Sequence, residues 1–375
     1  FIGGGCCNTT TGNKSAVGGG LKNTNAACLG FIGGGECNEI TSAGPCSTVV
    51  GGFDNCTIAD LTVIGGGSQN SISNDCSFIG GGSKNKVTST AKTSTLVGGE
   101  DNTITGCHAF LGAGDSNNAR GCYSTLIGGV SSCAIGKASF VGGGSCNCVS
   151  GLSSFAGGGL SNLIIGNASV VVGGSSHTAT GSGAFIGGGS SNGISGSSKD
   201  SVVVGGTSNV ASAACSTIVG GKNSGIDSGG ASGFIGGGED NCISTGKYTT
   251  IGGGCQNTVS ACAGTIAGGI CNKVTSDCGS VGGGFKNCAC SGCGTIGGGY
   301  ENLIEANTDY GIIGGGQANT IIENSCHGAI IGGCGNKVCN DYGTVAGGKG
   351  NCASGACSSV GGGESNNLAT GNHAT

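Results

Sequence analysis

The chain has 375 residues, of which 90 are Gly, 26 are Cys and one is Pro, and it has no Met or Trp. Gly is the poorest ordinary helix former and collagen needs abundant Pro, so these counts exclude a helical bundle, a coiled coil and a collagen triple helix. The formal net charge is −5, from 14 Lys and Arg against 19 Asp and Glu, and no basic stripe occurs, so nucleic acid is not an expected partner.

One tandem repeat runs through the chain, with the consensus S-x-I-G-G-G-x-x-N-x-I-x-G-x-x. We number each coil from this Asn, taken as position zero. Asn fills 21 of the 24 zero positions, with Ser132, His177 and Ser224 as exceptions, and position −3 is Gly in all 24. Between successive zero positions, sixteen intervals span 15 residues, one spans 16 and six span 17. This register excludes a disordered Gly-rich chain and predicts one continuous array over residues 1–375, with no second domain.

A 15-residue unit is too short for a helical pair or a propeller blade, and it fits one coil of a β-solenoid. Position −6 is Ile, Val or Leu in every coil except at Ala156, which predicts a buried β-branched column. Gly at −4 and −3 predicts a corner with positive φ or close backbone approach. The Asn at zero is expected to form a ladder of hydrogen bonds with its equivalents. We expect this Asn ladder to include Asn8, Asn23, Asn38, Asn70, Asn85, Asn147, Asn257 and Asn302.

Position +2 is a second apolar column, with Ile40, Ile72 and Val87 among its members. The extra residues of the longer coils fall between +2 and −8, so insertions are expected on one edge. Burial of the aliphatic side chains of one coil contributes roughly 3–6 kcal/mol of stability. This is less than the entropic cost of ordering the backbone of that coil. Coils must therefore stabilise one another. The sequence predicts an all-β fold, a single β-solenoid (parallel β-roll or β-helix) of about 24 coils.

Position −7 collects eight of the ten Phe in the chain, and Thr fills another eight of its positions. If −6 points inward, strand alternation turns −7 outward together with −5, which is Gly in 15 coils. We interpret this flat apolar stripe as a self-association interface. One alternative is a turned corner that leaves the Phe column internal, and another is an ice- or glycan-binding face. The stripe includes Phe1, Phe31, Phe78, Phe110, Phe140, Phe155, Phe185, Phe234, Thr250 and Thr295.

The Cys residues follow the repeat, and equivalent Cα atoms of adjacent coils are expected about 4.8 Å apart, inside the disulfide range. This predicts a ladder of disulfides. The alternatives are free thiols buried as small core fillers and a metal site, for which the cluster of Cys288, Cys290 and Cys293 has no His nearby. The candidate pairs are Cys107 with Cys122, Cys133 with Cys148, Cys278 with Cys293 and, within one coil, Cys352 with Cys357.

The stretches STLIGGVSSCAIG (124–136) and SFVGGGSCNCVSG (139–151) resemble the head repeat of YadA-like trimeric autotransporter adhesins. The resemblance covers essentially the whole chain. It implies a left-handed parallel β-roll that assembles as a trimer on a cell surface. The chain differs from that family in three ways. Its repeat is one residue longer, a third consecutive Gly is added, and Cys is abundant. Gly-rich surface proteins with GGGxxN repeats share the same style of sequence.

The expected function is an extracellular structural or adhesive fibre at a cell or virion surface. No catalytic constellation or phosphate-binding loop is visible, so neither an enzyme nor a cofactor is predicted. The abundant Cys indicates an oxidising compartment. A rod on the order of 115 Å long would associate with itself, as a trimer or filament, and surface glycans are a second expected partner. Apolar runs such as 201–204 are too short for a membrane span.

Two other functions are weighed against the fibre. An ice-binding solenoid needs a regular Thr array, whereas Thr and Phe share position −7. A glycan-binding or viral receptor-binding fibre would use the same elongated scaffold. Neither end of the repeat carries a polar or helical cap, which predicts a segment of a longer array or end-to-end stacking of rods.

Overall fold

In the computed structural model the chain is an all-β parallel solenoid of about 24 turns, each formed by one sequence repeat, which confirms the predicted fold class. The structure describes residues 1–368, and none of them is helical. The backbone divides into two compact units, Phe1–Gly183 and Ala184–Thr375. Each unit contains twelve of the 24 zero positions. The single continuous array predicted from the sequence stays a prediction.

Each coil has three sides. A two-residue strand at −7 and −6 belongs to a parallel sheet that we name the Phe-side sheet, and a two-residue strand at +1 and +2 belongs to the Asn-side sheet. The third side is a single bridging residue at −2, such as Ser145, which pairs with its equivalents Val130 and Leu160. Every strand is short because a corner follows within a few positions.

The strands of the Phe-side sheet alternate along the chain with those of the Asn-side sheet. In the first unit the Phe-side strands are Ala16–Val17, Phe31–Ile32, Thr48–Val49, Val63–Ile64, Phe78–Ile79, Thr95–Leu96, Phe110–Leu111, Thr125–Leu126, Phe140–Val141, Phe155–Ala156 and Val170–Val171. In the second unit they are Phe185–Ile186, Val202–Val203, Thr217–Ile218, Phe234–Ile235, Thr250–Ile251, Thr265–Ile266, Ser280–Val281, Thr295–Ile296, Ile312–Ile313, Ala329–Ile330, Thr344–Val345 and Ser359–Val360.

The Asn-side strands begin directly after each zero position. In the first unit they are Thr9–Thr10, Thr24–Asn25, Glu39–Ile40, Cys56–Thr57, Ser71–Ile72, Lys86–Val87, Thr103–Ile104, Asn118–Ala119, Cys133–Ala134, Cys148–Val149, Leu163–Ile164 and Thr178–Ala179. In the second unit they are Gly193–Ile194, Val210–Ala211, Gly225–Ile226, Cys242–Ile243, Thr258–Val259, Lys273–Val274, Cys288–Ala289, Leu303–Ile304, Thr320–Ile321, Lys337–Val338, Cys352–Ala353 and Asn367–Leu368.

Strand register stacks each repeat position on its equivalent within a unit. Phe140 pairs with Phe155, and the longer interval from Phe78 to Thr95 is paired in the same way. The extra length of that coil therefore lies in the turn between the strands Lys86–Val87 and Thr95–Leu96. Insertions leave the columns intact, as the sequence predicted.

The core consists of the two columns predicted from the sequence. Ile32 and Ile64 at −6, and Ile40 and Ile72 at +2, are completely buried. β-Branched side chains suit these positions because they pack on the pleated surface between coils. Small residues such as Ala91 complete the buried interior beside the turn.

The Gly corner is more restricted at −3 than at −4. Every Gly at −3 has φ between +83° and +111°. A Cβ on Gly52 would lie 2.1 Å from the carbonyl oxygen of Gly67 in the next coil. A Cβ on Gly51, at −4, would meet nothing nearer than 3.8 Å, and Ala113 occupies the same column. The backbone requirement expected at both positions therefore belongs to −3, because only there do positive φ and a crowding carbonyl coincide.

Two further corners are formed mostly by residues other than Gly. Positions −1 and −9 adopt the left-handed conformation throughout, as in Asp54 (φ 55°) and Leu61 (φ 56°). Such a conformation costs a residue with a side chain about 1–2 kcal/mol. The residue types at these positions are varied, so the sequence carried no signal for them. Stacking on neighbouring coils holds these corners in place.

Candidate interaction surfaces

The Asn ladder closes each corner with buried hydrogen bonds. The Asn38 side chain donates through Nδ2 to the carbonyl oxygens of Gly34 (3.0 Å) and Gly52 (2.9 Å). Its Oδ1 accepts from the backbone N–H and the Nδ2 of Asn55, both at 3.1 Å. One amide group thus satisfies donors and acceptors in successive coils, as buried polar groups require.

The predicted Asn residues occupy equivalent places in the two units. All of them are buried except Asn8, which is half-buried in the first coil. Where the preceding zero position is not Asn, the ladder is modified: the N–H of Asn147 donates to Oγ of Ser132 at 3.3 Å. His177 is also buried in this column, and its N–H donates to Oδ1 of Asn162.

The Phe residues at −7 point outward from the Phe-side sheet. Phe31 is 44% exposed and Phe110 is 36% exposed, which excludes the alternative of an internal Phe column. The rings of Phe140 and Phe155 stack with centroids 4.9 Å apart. Thr250 is half-buried and Thr295 exposed in the same column of the second unit. The outward stripe therefore exists as a surface in both units.

This stripe is uncharged. No position −7, −5 or −4 in the chain carries Asp, Glu, Lys or Arg. Charges concentrate instead at the −2 and −1 corner, where Lys222 pairs with Glu239 at 2.8 Å and Lys349 with Glu364 at 3.0 Å. These pairs are exposed, so each contributes no more than about 1 kcal/mol. Each pair links adjacent coils.

The Cys residues lie on the outside of the solenoid. Every free Cys is exposed or half-buried, which overturns the alternative of buried thiols as core fillers. The reason is positional, because no Cys occupies −6, zero or +2. Among residues 1–368 no group of three or more His, Cys, Asp or Glu is arranged to hold a metal ion.

Two disulfides are formed. Cys107 is joined to Cys122 on the adjacent coil, with Cα atoms 4.6 Å apart, which is the pairing expected from their shared column. Cys288 is joined to Cys290 within one coil, a disulfide in place of the metal cluster that was the alternative for these two residues and Cys293. Both side chains leave the same outward face of the Asn-side sheet, because they are two positions apart. Cys293 and Cys278 are free thiols.

Cys133 and Cys148 face each other in register on the Asn-side sheet as free thiols. A hydrogen bond from the Cys148 thiol lowers the pKa of Cys133 to about 6; burial opposes this shift and the nearby Arg120 guanidinium favours it. The same hydrogen bond raises the pKa of Cys148. The shared hydrogen bond therefore favours a state with one thiolate and one thiol.

The within-coil pairing of Cys352 with Cys357 is wrong. Both are free, and Sγ of Cys352 lies 3.1 Å from Sγ of Cys339 on the preceding coil. Cys352 points outward from the Asn-side sheet, whereas Cys357 lies beyond the turn with φ 54°. Burial, and next the Cys352 thiol, raise the pKa of Cys339 to about 11.

Aromatic residues at −9 stack on one another between coils. His327 stacks between Tyr310 and Tyr342, with centroid distances of 5.1 and 4.8 Å. In the first unit His108 stacks on Tyr123 at 5.0 Å. Their common column was the available signal. Because ring faces cover one another, these residues stabilise neighbouring turns.

Comparison with protein-family models and with curated proteins finds no match to this chain. Within residues 1–368 there is also no helix with the length and apolar character needed to cross a bilayer.

Proposed function

We propose that this protein is a structural or adhesive fibre component that acts through self-association. The observation that carries the proposal is the Phe-side face, which is uncharged and outward-facing in both units and is most apolar in the first, where six of its eight Phe residues lie. A soluble monomer seldom exposes an apolar patch of more than a few hundred Å² without using it for an interaction. Backbone hydrogen bonds run between neighbouring coils, so the scaffold supports long faces rather than a pocket.

The Cys distribution supports an extracellular location for this fibre. Outward thiols on adjacent coils lie at distances suited to crosslinks, and Cys107 and Cys122 already form one. Disulfides persist chiefly in oxidising environments. The resemblance to YadA-like head repeats favours a cell surface, and a virion surface would impose the same conditions. Crosslinks would make each unit resistant to unravelling.

The proposal is tested by the oligomeric form of the purified chain with and without reductant. Light scattering coupled to size-exclusion chromatography, together with negative-stain images, should show dimers, trimers or filaments at micromolar concentrations. Reductant should lower thermal stability without abolishing association, because the apolar face does not depend on disulfides. A chain that remains monomeric at all concentrations in both conditions would contradict the proposal.

A further inference from the structure

The residue types at positions −7 and −5 of the same coil are correlated. In all eight coils with Phe at −7, position −5 is Gly. In the nine coils where −5 is Val, Ile or Ala, position −7 is Thr, Val or Ala and never Phe. Phe31 with Gly33 and Thr48 with Val50 are examples from consecutive coils. Phe at −7 is thus never combined with a side chain at −5.

Two contacts restrict position −5 in the coils that carry Phe. A Cβ on Gly157 would first collide with the carbonyl oxygen of Val172 in the next coil, and it would also lie 3.3 Å from Cε1 of Phe155. A Cβ on Gly80 would likewise collide with the carbonyl oxygen of Val97 and lie 3.4 Å from Cε1 of Phe78. Real Cβ atoms seldom tolerate contacts this short. In nine of the coils without Phe, position −5 carries an apolar side chain instead, and Val50 is one of them with 52% exposure.

We propose that this exchange levels the Phe-side face of the first unit, so that it docks against the same face of a second copy of the chain. The inference rests on the proposed self-association and assigns its surface and partner. In the first unit ten of the twelve coils present a single bulky apolar group, so few ridges or holes interrupt the face there; Ala16 with Gly18 presents none and Val170 with Val172 presents two. Level sheets pack face to face at about 10 Å with their side chains in contact.

A second copy fits this face better than another protein or a lipid surface. An uncharged face offers no electrostatic pattern by which to select an unlike partner. It also lacks the Lys and Arg that anchor a helix or sheet to anionic membranes. The twelve coils of the first unit present about 580 Å², taking ~4.8 Å per coil and ~10 Å of width. Two such faces bury about 1,150 Å², which reaches the size of a specific interface.

A double-mutant cycle at Thr48 and Val50 tests the levelling directly. Thr48→Phe puts a ring beside Val50 and creates a bump, and Val50→Gly removes the side chain and creates a hole. Each single variant should weaken self-association at least about 10-fold in sedimentation equilibrium. The double variant T48F/V50G reproduces the Phe–Gly arrangement of other coils and should restore wild-type association. A double variant no better than the singles would overturn the levelling argument.

Charge substitution tests which face is used. Phe78→Lys with Phe110→Lys should weaken association at least about 100-fold, since two unpaired charges would be buried in the contact. Leu163→Lys is the matched control, because Leu163 is also 36% exposed but lies on the Asn-side sheet, where Lys86 occurs naturally. Circular dichroism and thermal unfolding confirm that each variant is folded.

The outcomes separate this inference from the proposed function. If the wild-type chain associates but F78K/F110K associates equally well, or L163K weakens association as much, the assigned face is wrong and the fibre proposal stands. If the wild-type chain is monomeric, both fail. A monomeric chain that binds phosphatidylcholine vesicles through Phe78 and Phe110 would identify a lipid as the occupant and overturn the inference.

Discussion

Asn38 donates twice to its equivalent in the preceding coil: its backbone nitrogen and Nδ2 lie 3.0 and 3.1 Å from Oδ1 of Asn23. Both residues are completely buried. The backbone N–H to Oδ1 contact recurs wherever the preceding zero position is Asn, so the amide column links successive corners in those coils. The same Asn side chains therefore hold the corner of their own coil and bind the adjacent coils. A substitution at one Asn removes contacts with the coil before it and with the coil after it.

Asn38→Ala should destabilise the chain by about 2–5 kcal/mol, because it leaves the carbonyls of Gly34 and Gly52 and the amide of Asn55 without their buried partner. Urea unfolding followed by circular dichroism measures the change. Asn38→Ser should cost less, since Ser132 and Ser224 occupy the same column naturally.

The control for this variant is Asn13→Ala, because Asn13 is exposed in the turn. We expect its effect to stay within about 0.5 kcal/mol. Equal destabilisation by Asn13→Ala and Asn38→Ala would show that the ladder contributes nothing beyond the loss of an Asn.

Gly52→Ala and Gly51→Ala form a matched pair at the Gly corner. Gly52→Ala should cost more than about 2 kcal/mol, because the strain of φ +98° adds to a contact of 2.1 Å with the next coil. Gly51→Ala should be nearly neutral, since its Cβ would meet only ordinary contacts. Thermal unfolding of both variants gives the comparison, and similar losses for the two would contradict the assignment of the constraint to −3.

The crosslink between Cys107 and Cys122 should stabilise the first unit mainly through chain entropy. The two residues are separated by 15 positions, and loop-closure entropy for a loop of that size gives about 3 kcal/mol. The variant C107S/C122S should therefore lose up to about that amount under oxidising conditions, as measured by urea unfolding.

The matched control for this crosslink is C288S/C290S, which removes a bond between residues separated by only two positions. So short a closure restricts the unfolded chain little, and the expected loss is much smaller. Equal losses in the two double variants would refute the entropic account.

Cys133 should react as a thiolate at neutral pH. Its pKa is lowered to about 6, chiefly by the hydrogen bond with Cys148, whereas burial, followed by Glu39 and Asp54, raises the pKa of Cys56 to about 11. Both residues begin strands of the Asn-side sheet and are half-buried. In the reduced chain at pH 7, iodoacetamide should label Cys133 at least about 10-fold faster than Cys56.

The direction of the pH dependence follows from the lowered pKa. Cys133 loses its proton above about pH 6, so labelling should fall as the pH drops through 6. Cys148→Ser weakens the hydrogen bond to the thiolate, so it should slow labelling at pH 7. Peptide mass spectrometry measures each site. An unchanged rate in the Cys148→Ser chain would remove Cys148 as the cause.

The sequence by itself determined the period, the parallel stacking and the two buried columns. These features follow from a register that recurs in every coil, because each coil can bury Ile32 and Ile40 only by placing them against equivalents in the next coil. The outward direction of Phe31 followed from the same alternation. Such features depend on spacing alone, which the sequence displays directly.

Only the tertiary structure decided the corners and the contacts across them. Asp54 and Leu61 hold left-handed backbone because neighbouring coils impose it, and their residue types give no sign of this. Cys352 faces Cys339 rather than Cys357 because the turn carries Cys357 to another side of the coil. The lean of a Phe ring over Gly likewise depends on the backbone path. Spacing along the chain gives the order of side chains around a coil, whereas their directions are set by turns whose conformation comes from stacking.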